Sequence, residues 1–219
     1  MLKWFNTQWD QASTCIVDTE TTGIRPGVDR IVQFGVARFE NGSCREGFSC
    51  LVDPGIPIPP EATAVHGVTD QMVKGERSIE QALEDAAPML KDCQLGAFNE
   101  SFDKAFLPSI GDHQWPWIDP LVLVRKLNRY ASGKGRHKLS VSCARHGIVL
   151  TDAHDAKADA IAAGELFYKL GWSAFPKEYT MGRLLAWQQQ QAIQEWTRFN
   201  TWLAAQPPLE TTDSTKKET

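Results

Sequence analysis

The Asn41-Gly42 pair separates two segments in which apolar and polar residues alternate, RIVQFGVARFE before it and GFSCLVD after it. Asn-Gly is the strongest short-range signal for a tight β-hairpin, and alternation with a period of two is typical of half-buried strands. The chain is therefore predicted to contain an antiparallel hairpin. Any fold that it adopts has to be built around that pair of strands.

The remaining patterns add strands and helices around the hairpin. Residues 13–18 and the segment CQLGAF read as two further short strands. Apolar residues at helical spacing, together with capping signals, predict helices over 78–91, 101–107, 121–130, 138–147 and 155–171, the last one closed by Gly171. Strands followed by helices that alternate with another strand indicate an α/β fold, with the helices packed on the sheet.

The C-terminal part of the chain has a different character. Apolar residues at 181, 185, 192, 196, 199 and 203 predict one long amphipathic helix. We expect a main domain over 1–175, a helical extension over 176–206 and a disordered tail over 207–219. Packing on its own domain is the commonest role for such a helix, and a homodimer or protein-partner interface is the next. Stacking of its Trp and Phe side chains on bases is a third alternative.

Composition excludes several classes of protein. No run approaches the ~20 apolar residues that a membrane span needs, and the N-terminal segment has no secretory h-region. The five cysteines are scattered without a C-x-x-C pair, so we expect reduced thiols rather than a disulfide framework or a zinc site. These features predict a cytoplasmic protein with no membrane association.

The net charge of −4 does not by itself indicate a nucleic-acid-binding protein, but the distribution of charge is uneven. The window from Pro120 to Thr151 contains no Asp or Glu. It holds seven cations: Arg125, Lys126, Arg129, Lys134, Arg136, Lys138 and Arg145. Such a block is a candidate surface for phosphates. A solvated helix face with a basic loop is the alternative, and charge alone leaves both open.

Two carboxylates, Asp18 and Glu20, follow the first apolar run and project from one face of their strand. Paired carboxylates repel each other and raise each other's pKa unless a cation neutralises them. Oxygen ligands of this kind suit Mg²⁺ or Mn²⁺. A solvated strand end is the alternative for this pair.

Three further candidates lie later in the chain. Asp103 falls in the first turn of a helix, where it could equally serve the helix dipole, and Asn99 or Ser101 could cap that helix. His154 precedes the last helix of the α/β region, and Asp159 lies about one turn inside it. Asp152 and Asp155 are near rivals of Asp159.

These stretches together resemble a known family. VDTETTG, FNESFDKAFL and HDAKADA are similar, in this order, to the three motifs of the DnaQ-like exonucleases with the DEDDh motif set. Between them, IPPEATAVHGVTDQMV and DPLVLVRKL…RHKL resemble intervening family segments. The resemblance covers roughly residues 13–171. It implies a ribonuclease H-like fold, with a mixed sheet and flanking helices.

The resemblance also implies roles for individual residues. Asp18, Glu20, Asp103 and Asp159 would hold two divalent metal ions, Mg²⁺ or Mn²⁺, and His154 would be the general base. The spacing of five residues after His154 favours Asp159 over its rivals. The family pattern and the basic block also suggest substrate contacts by Thr21, Thr22, His66, Asn99, Arg136 and Lys138. The family usually has His-Asn where this chain has Phe98-Asn99, which leaves the role of position 98 open.

The predicted activity is hydrolysis of terminal phosphodiesters at single-stranded DNA 3′ ends, with release of nucleoside 5′-monophosphates. An RNA or oligoribonucleotide 3′–5′ exonuclease is the alternative within this class. A nucleic-acid-binding module on an inactive exonuclease fold, or a scaffold that recruits a partner through its last helix, are alternatives from other classes.

Overall fold

A computed structural model describes residues 3–107 and 116–205. Its sheet has four strands in the order β3-β2-β1-β4. The bounds are β1 Thr14–Thr21, β2 Ile31–Glu40, β3 Ser43–Leu51 and β4 Gln94–Gly96. β1 and β3 both pair antiparallel with β2, whereas β4 runs parallel to β1. The predicted α/β fold with a mixed sheet is confirmed.

The hairpin between β2 and β3 turns at the predicted pair. Asn41 and Gly42 have φ angles of 52° and 75°. Positive φ at both central residues is what a two-residue turn requires if it is to match the twist of the strands. This turn fixes the register of the hairpin, and with it which side chains of β2 face each side of the sheet.

The helices follow a short 3₁₀-helix at Lys3–Asn6. They are α1 Pro60–His66, α2 Asp70–Val73, α3 Ile79–Leu90, α4 Glu100–Phe106, α5 Pro120–Leu127, α6 Leu139–Arg145, α7 Ala156–Ala174 and α8 Met181–Ala204. The prediction that Gly171 closes α7 is wrong, because the helix continues to Ala174. A Cβ at position 171 would lie 2.5 Å from the Trp9 ring. Gly171 therefore serves close packing rather than helix termination.

The sheet separates two hydrophobic layers. Ile16, Ala37 and Phe39 pack with α7 on one face. Cys15 and Val36, which point the other way, belong to the layer that contains α3 and α4. The face alternates along each strand, so neighbouring residues of β1 serve different layers. This alternation matters for the site, because it is assembled from both layers.

Helix α8 is confirmed as a long helix, but its apolar face is not uniformly buried. Met181, Leu184 and Leu185 join the layer around α7. Farther along, the large apolar side chains are exposed by 57% to 67%: Ile193, Trp196, Phe199 and Trp202. The Leu203 side chain and the predicted tail at 207–219 lie outside the described residues. The division into a domain and an extension stays a prediction.

Within the two described ranges, the helices lack the length and apolar character that crossing a bilayer would require. All five cysteines are free thiols, as predicted.

Candidate active site

The C-terminal half of β1 has an open edge. β4 pairs only with Thr14, Cys15 and Ile16, so the strand extends past its parallel neighbour before it reaches Asp18 and Glu20. Ligand sites in α/β proteins commonly form beyond the carboxyl ends of strands, where loops and helix ends leave room. The open edge lets side chains from helices on both layers reach the two carboxylates.

Helix α4 delivers Asp103 to this edge. The Asp103 carboxylate is buried, and its Oδ1 accepts a hydrogen bond of 2.8 Å from the Thr19 hydroxyl. Thr19 lies between the two carboxylates of β1 but points to the opposite face. The Thr19 hydroxyl thereby holds the Asp103 carboxylate, which comes from the α4 layer, next to Asp18 and Glu20 on the other face of β1.

Helix α7 approaches β2 closely because Gly35 lies beneath its first turn. A Cβ at position 35 would lie 2.6 Å from the Lys157 backbone nitrogen. Next to it, Gln33 accepts from the Ala156 N–H (3.2 Å) and donates to the Asp155 carboxylate (2.9 Å). Because Gly35 is paired with Asp18 in the sheet, this docking brings the start of α7 over the carboxylates.

The three candidate aspartates before and inside α7 have different surroundings. Asp155 is the helix N-cap, and its carboxylate is used by Gln33 and by the Ala158 N–H. Asp152 is exposed and accepts from the Thr151 hydroxyl. Asp159 is buried, and its Oδ1 is enclosed without a hydrogen-bond partner. Of the three, Asp159 therefore has the buried carboxylate oxygen that is left without a hydrogen-bond partner.

His154 lies at the mouth of the cluster. Its backbone adopts a left-handed conformation (φ 71°), and its N–H donates to Asp159 Oδ2 at 3.3 Å. The half-exposed imidazole places Nδ1 3.9 Å from Glu20 Oε1. Ligand atoms of Glu20, His154 and Asp159 all lie within 4.8 Å of one another. The fold thus brings together residues that are separated by more than one hundred positions.

The carboxylates destabilise one another's charged forms. Burial, followed by the nearby Asp103, Asp159 and Glu20, raises the pKa of Asp18 well above its usual range. Burial, with Asp159 and Asp103, raises the pKa of Glu20 to about 8. Burial also raises the pKa of Asp103 to about 7, against the hydrogen bond from Thr19, and it raises the pKa of Asp159.

Such a cluster suits a positively charged ligand. Opposite charge favours ionisation of carboxylates that are otherwise held protonated by burial and repulsion. The free Oδ1 of Asp159 offers an unused ligand atom, and a set of carboxylate oxygens matches hard divalent cations. The donor set therefore fits the divalent metals that the sequence predicts.

A cavity of about 500 Å³ adjoins the carboxylates on the α1 side. Its walls include Thr21, Thr22, Ile24, Val65, His66 and Phe102. The Thr21 hydroxyl donates to the Gly23 carbonyl, and that of Thr22 accepts from the Arg30 N–H. Both hydroxyls therefore hold the β1–β2 turn. His66 Nδ1 accepts from the Val68 N–H, and burial lowers the pKa of its imidazole.

A second cavity, of about 630 Å³, lies on the other side of His154 and Asp159 and is called the basic cavity below. Its lining includes three residues of the cation block, Arg125, Arg136 and Lys138, together with Asn99. Phe98, at the position where the family usually has histidine, packs against the α7 layer. The structure thus places part of the cation block beside the carboxylates.

The Asn99 side chain does not cap α4, contrary to one sequence prediction. Its backbone is left-handed (φ 69°), and no side-chain capping bond forms. Instead its N–H donates to Asp119 Oδ1 at 3.0 Å, and the same oxygen accepts from the Leu121 N–H at 2.8 Å. One buried carboxylate thereby fixes the starts of both α4 and α5.

Sequence reasoning missed the residues that support this arrangement. Gln188 of α8 accepts from the Asp119 N–H at 2.8 Å and donates to the Trp117 carbonyl at 2.7 Å. Asp119 could have been found, because an Asp directly before Pro120 is a helix-start signal. Gln188 lies in a run of glutamines, and no local pattern distinguishes it.

The comparisons with known proteins agree with this geometry. A family model described as exonuclease (RNase_T) matches residues 15–167. The DNA polymerase III PolC-type protein of Halalkalibacterium halodurans is 32% identical over 161 residues, 71% of this chain and 11% of the relative. That of Thermotoga maritima is 30% identical over 169 residues, 73% of the chain and 12% of the relative. The chain therefore spans only about a tenth of the length of these relatives.

Solved structures show the same fold. Exonuclease X in complex with 5′ overhanging duplex DNA superposes with a TM-score of 0.63 at 24% identity, over 78% of this chain and 99% of that one. A 3′-exonuclease bound to a histone mRNA stem-loop also gives 0.63, at 16% identity, over 78% and 66%. Fold, motif order and family match agree: the chain belongs to the family of DnaQ-like 3′–5′ exonucleases and has the ribonuclease H-like fold.

Proposed function

We propose that this chain is a metal-dependent exonuclease that hydrolyses the terminal phosphodiester of single-stranded DNA 3′ ends and releases nucleoside 5′-monophosphates. The observation that carries the proposal is the convergence of Asp18, Glu20, Asp103 and Asp159 with His154 at one open strand end. DNA is favoured over RNA because the two relatives compared above are named as DNA polymerases.

The four carboxylates would hold two divalent ions, Mg²⁺ or Mn²⁺. Their four negative charges offset the four positive charges of two such ions, which relieves the mutual repulsion that raises their pKa values. When bound, a pair of ions lowers the pKa of an attacking water and stabilises the leaving oxygen of a phosphodiester.

His154 is proposed as the general base. Its imidazole is half-exposed, so a water molecule beside the scissile phosphate can reach it. A histidine can accept a proton near neutral pH, and Glu20, 3.9 Å from Nδ1, would stabilise the imidazolium that forms. With Nδ1 turned towards Glu20, Nε2 is the nitrogen left to accept the proton of water.

The two cavities are proposed to bind different parts of the substrate. The cavity at Thr21, Thr22 and His66 is proposed to take the terminal nucleotide, chiefly through backbone groups and apolar walls, because the two threonine hydroxyls are already used. In the basic cavity, Arg136 and Lys138 are proposed to contact the phosphates of the strand, and Asn99 the adjoining nucleotide.

The test uses 5′-labelled single-stranded DNA, duplex DNA and RNA, each with Mg²⁺, Mn²⁺ or EDTA, beside an Asp18→Ala variant. A ladder of products shortened from the 3′ end, dependent on metal and absent from the variant, supports the proposal. Preferred cleavage of RNA would mean that RNA, rather than DNA, is the substrate. If no substrate is cut but binding is retained, the chain is a binding module and the catalytic proposal fails.

A further inference from the structure

The exposed half of α8 borders a groove that the catalytic proposal does not use. The groove has a volume of about 810 Å³ and lies between α8 and the starts of α4 and α5. We call it the α8 groove, and its lining includes Asn99, Lys104, Arg125, Gln189, Trp196 and Phe199. Trp196 and Phe199 are 67% and 57% exposed, so their rings are available to a ligand.

The α8 groove adjoins the basic cavity. Asn99 and Arg125 line both, and the basic cavity is also lined by His154 and Asp159. A strand whose 3′ end lies at the carboxylates would therefore reach the α8 groove by passing Asn99 and Arg125.

The charges in the groove suit a strand that is held there by its bases. Two of its three acidic side chains are each matched by a cation: Glu195 with Arg125 at 3.4 Å, and Glu100 with Lys104 at 3.9 Å. The third, Asp119, is buried, and its carboxylate accepts from the Asn99 and Leu121 N–H groups. The walls offer aromatic rings and uncharged glutamines, and rings that accept stacked bases are the usual device of single-strand binders.

The rings follow one another along the helix. Trp196 and Phe199 are three residues apart and therefore lie on one face of α8. The Phe199 ring is 6.0 Å from that of Trp202, with 32° between the planes, so the aromatic surface continues beyond the groove. Successive bases of an extended strand could pack on successive rings.

We propose that the α8 groove binds the upstream part of a single-stranded substrate, with bases stacked on Trp196 and Phe199, while the 3′ end occupies the reaction centre. This inference rests on the proposed exonuclease function and adds the path of the strand. It predicts that kcat/KM is higher for long strands than for very short ones, and that contacts with α8 cause this difference.

The experiment compares kcat/KM for a thymidine trinucleotide and a thymidine dodecamer with Mg²⁺. The wild-type chain should prefer the dodecamer, and in Trp196→Ala that preference should shrink about tenfold, as expected for one lost base–ring stack. Trp196→Phe should restore most of it, because it retains a ring. Ile193→Ala is the matched control: Ile193 is 64% exposed on the same helix and is not part of the groove lining.

Each alternative has its own outcome. Equal preference for the dodecamer in wild type, Trp196→Ala and Ile193→Ala would overturn the groove proposal and leave the exonuclease intact. Sedimentation measures the oligomeric state of the same proteins. If the dodecamer preference is equal in all three, and the wild type is a dimer that Trp196→Ala dissociates, the exposed face of α8 binds a second copy of the chain and the groove proposal is overturned. No cleavage of either oligonucleotide by the wild type would overturn the exonuclease function and the groove with it.

Discussion

The Thr19 hydroxyl donates a hydrogen bond of 2.8 Å to the Asp103 carboxylate, which ties helix α4 to the strand that carries Asp18 and Glu20. This bond lowers the pKa of Asp103 against the effect of burial. Thr19→Val keeps the shape of the side chain but removes the donor, so the pKa of Asp103 should rise.

Thr19→Val should therefore lower kcat/KM about tenfold near neutral pH, because the loss of one hydrogen bond to a charged group costs roughly 1.5–3 kcal/mol. The acidic limb of the pH–rate profile should move to higher pH. Thr19→Ser retains the hydroxyl and serves as the control. A Thr19→Val profile identical to that of the wild type would contradict a role for this bond.

The clustered carboxylates predict how stability depends on pH without metal. The pKa of Glu20 is about 8 in the fold against 4.5 for a free glutamate, and that of Asp103 is about 7. Between pH 4.5 and about 8, the folded chain holds protons on these carboxylates that the unfolded chain has released. Stability must then fall as pH rises, and the loss is complete only above pH of about 8.

Thermal unfolding in EDTA between pH of about 5 and 8.5 measures this effect. The melting temperature should decrease across the range, and added Mg²⁺ should raise it most at the alkaline end, where the carboxylates hold the fewest protons. Glu20→Gln should flatten the slope. A melting temperature that rises with pH in EDTA, in both proteins, would contradict the assigned pKa directions.

Gly35 is predicted to be intolerant of a side chain. In Gly35→Ala the new Cβ would meet the backbone at the start of α7, which cannot yield as a flexible side chain can. We expect a loss of about 1–3 kcal/mol in the free energy of unfolding and a fall in kcat, since Asp159 moves with the helix.

Gly47→Ala on β3 is the control for Gly35. Its Cβ would meet only side-chain atoms, those of Lys157 at 3.3 Å and of Ile161 at 3.6 Å, so stability and turnover should change little. Urea unfolding and steady-state kinetics of both variants measure the difference. Equal behaviour of the two variants would mean that close approach of α7 to β2 is not what positions Asp159.

Gln188 is predicted to support the site from outside it. Gln188→Leu would leave the buried Asp119 N–H and Trp117 carbonyl without partners, which should cost roughly 1–3 kcal/mol of unfolding free energy. Because Asp119 holds Asn99, kcat/KM should also fall. Gln190→Leu, at an exposed position of the same helix, should be neutral in denaturation and activity assays. Wild-type stability in Gln188→Leu would contradict this role.

Arg136 and Lys138 are predicted to guide the strand rather than to take part in chemistry. Lys138→Ala should raise KM, leave kcat at saturating substrate near its normal value, and reduce the salt dependence of binding by about 0.7 in log–log slope. Lys126, exposed on α5 and outside the cavity lining, provides the control Lys126→Ala. Abolished turnover at saturating substrate in Lys138→Ala would show that the guiding role is wrong.

Several local signals in the sequence were informative. The Asn41-Gly42 turn formed as predicted, and Ser78 caps α3 at the start of the helix predicted over 78–91, because a few adjacent residues determine both features. The candidate carboxylates could be found because their order matches family motifs. Gln33 and Gln188 could not, since their roles depend on partners distant in the chain. Periodicity predicted α8. It did not predict that the large apolar side chains from Ile193 onwards, including Trp196, are exposed.

A cleavage assay shows whether Asp159 belongs to a metal-dependent catalytic centre. Wild type, Asp159→Asn and Asp152→Asn are incubated with 5′-labelled single-stranded DNA and Mg²⁺, with EDTA as a parallel condition. Wild type and Asp152→Asn should both shorten the strand from its 3′ end in Mg²⁺ only, and Asp159→Asn should leave it intact. Shortening of the strand by Asp159→Asn at the wild-type rate would contradict the role of Asp159. Shortening by any of the three proteins in EDTA would contradict the metal dependence.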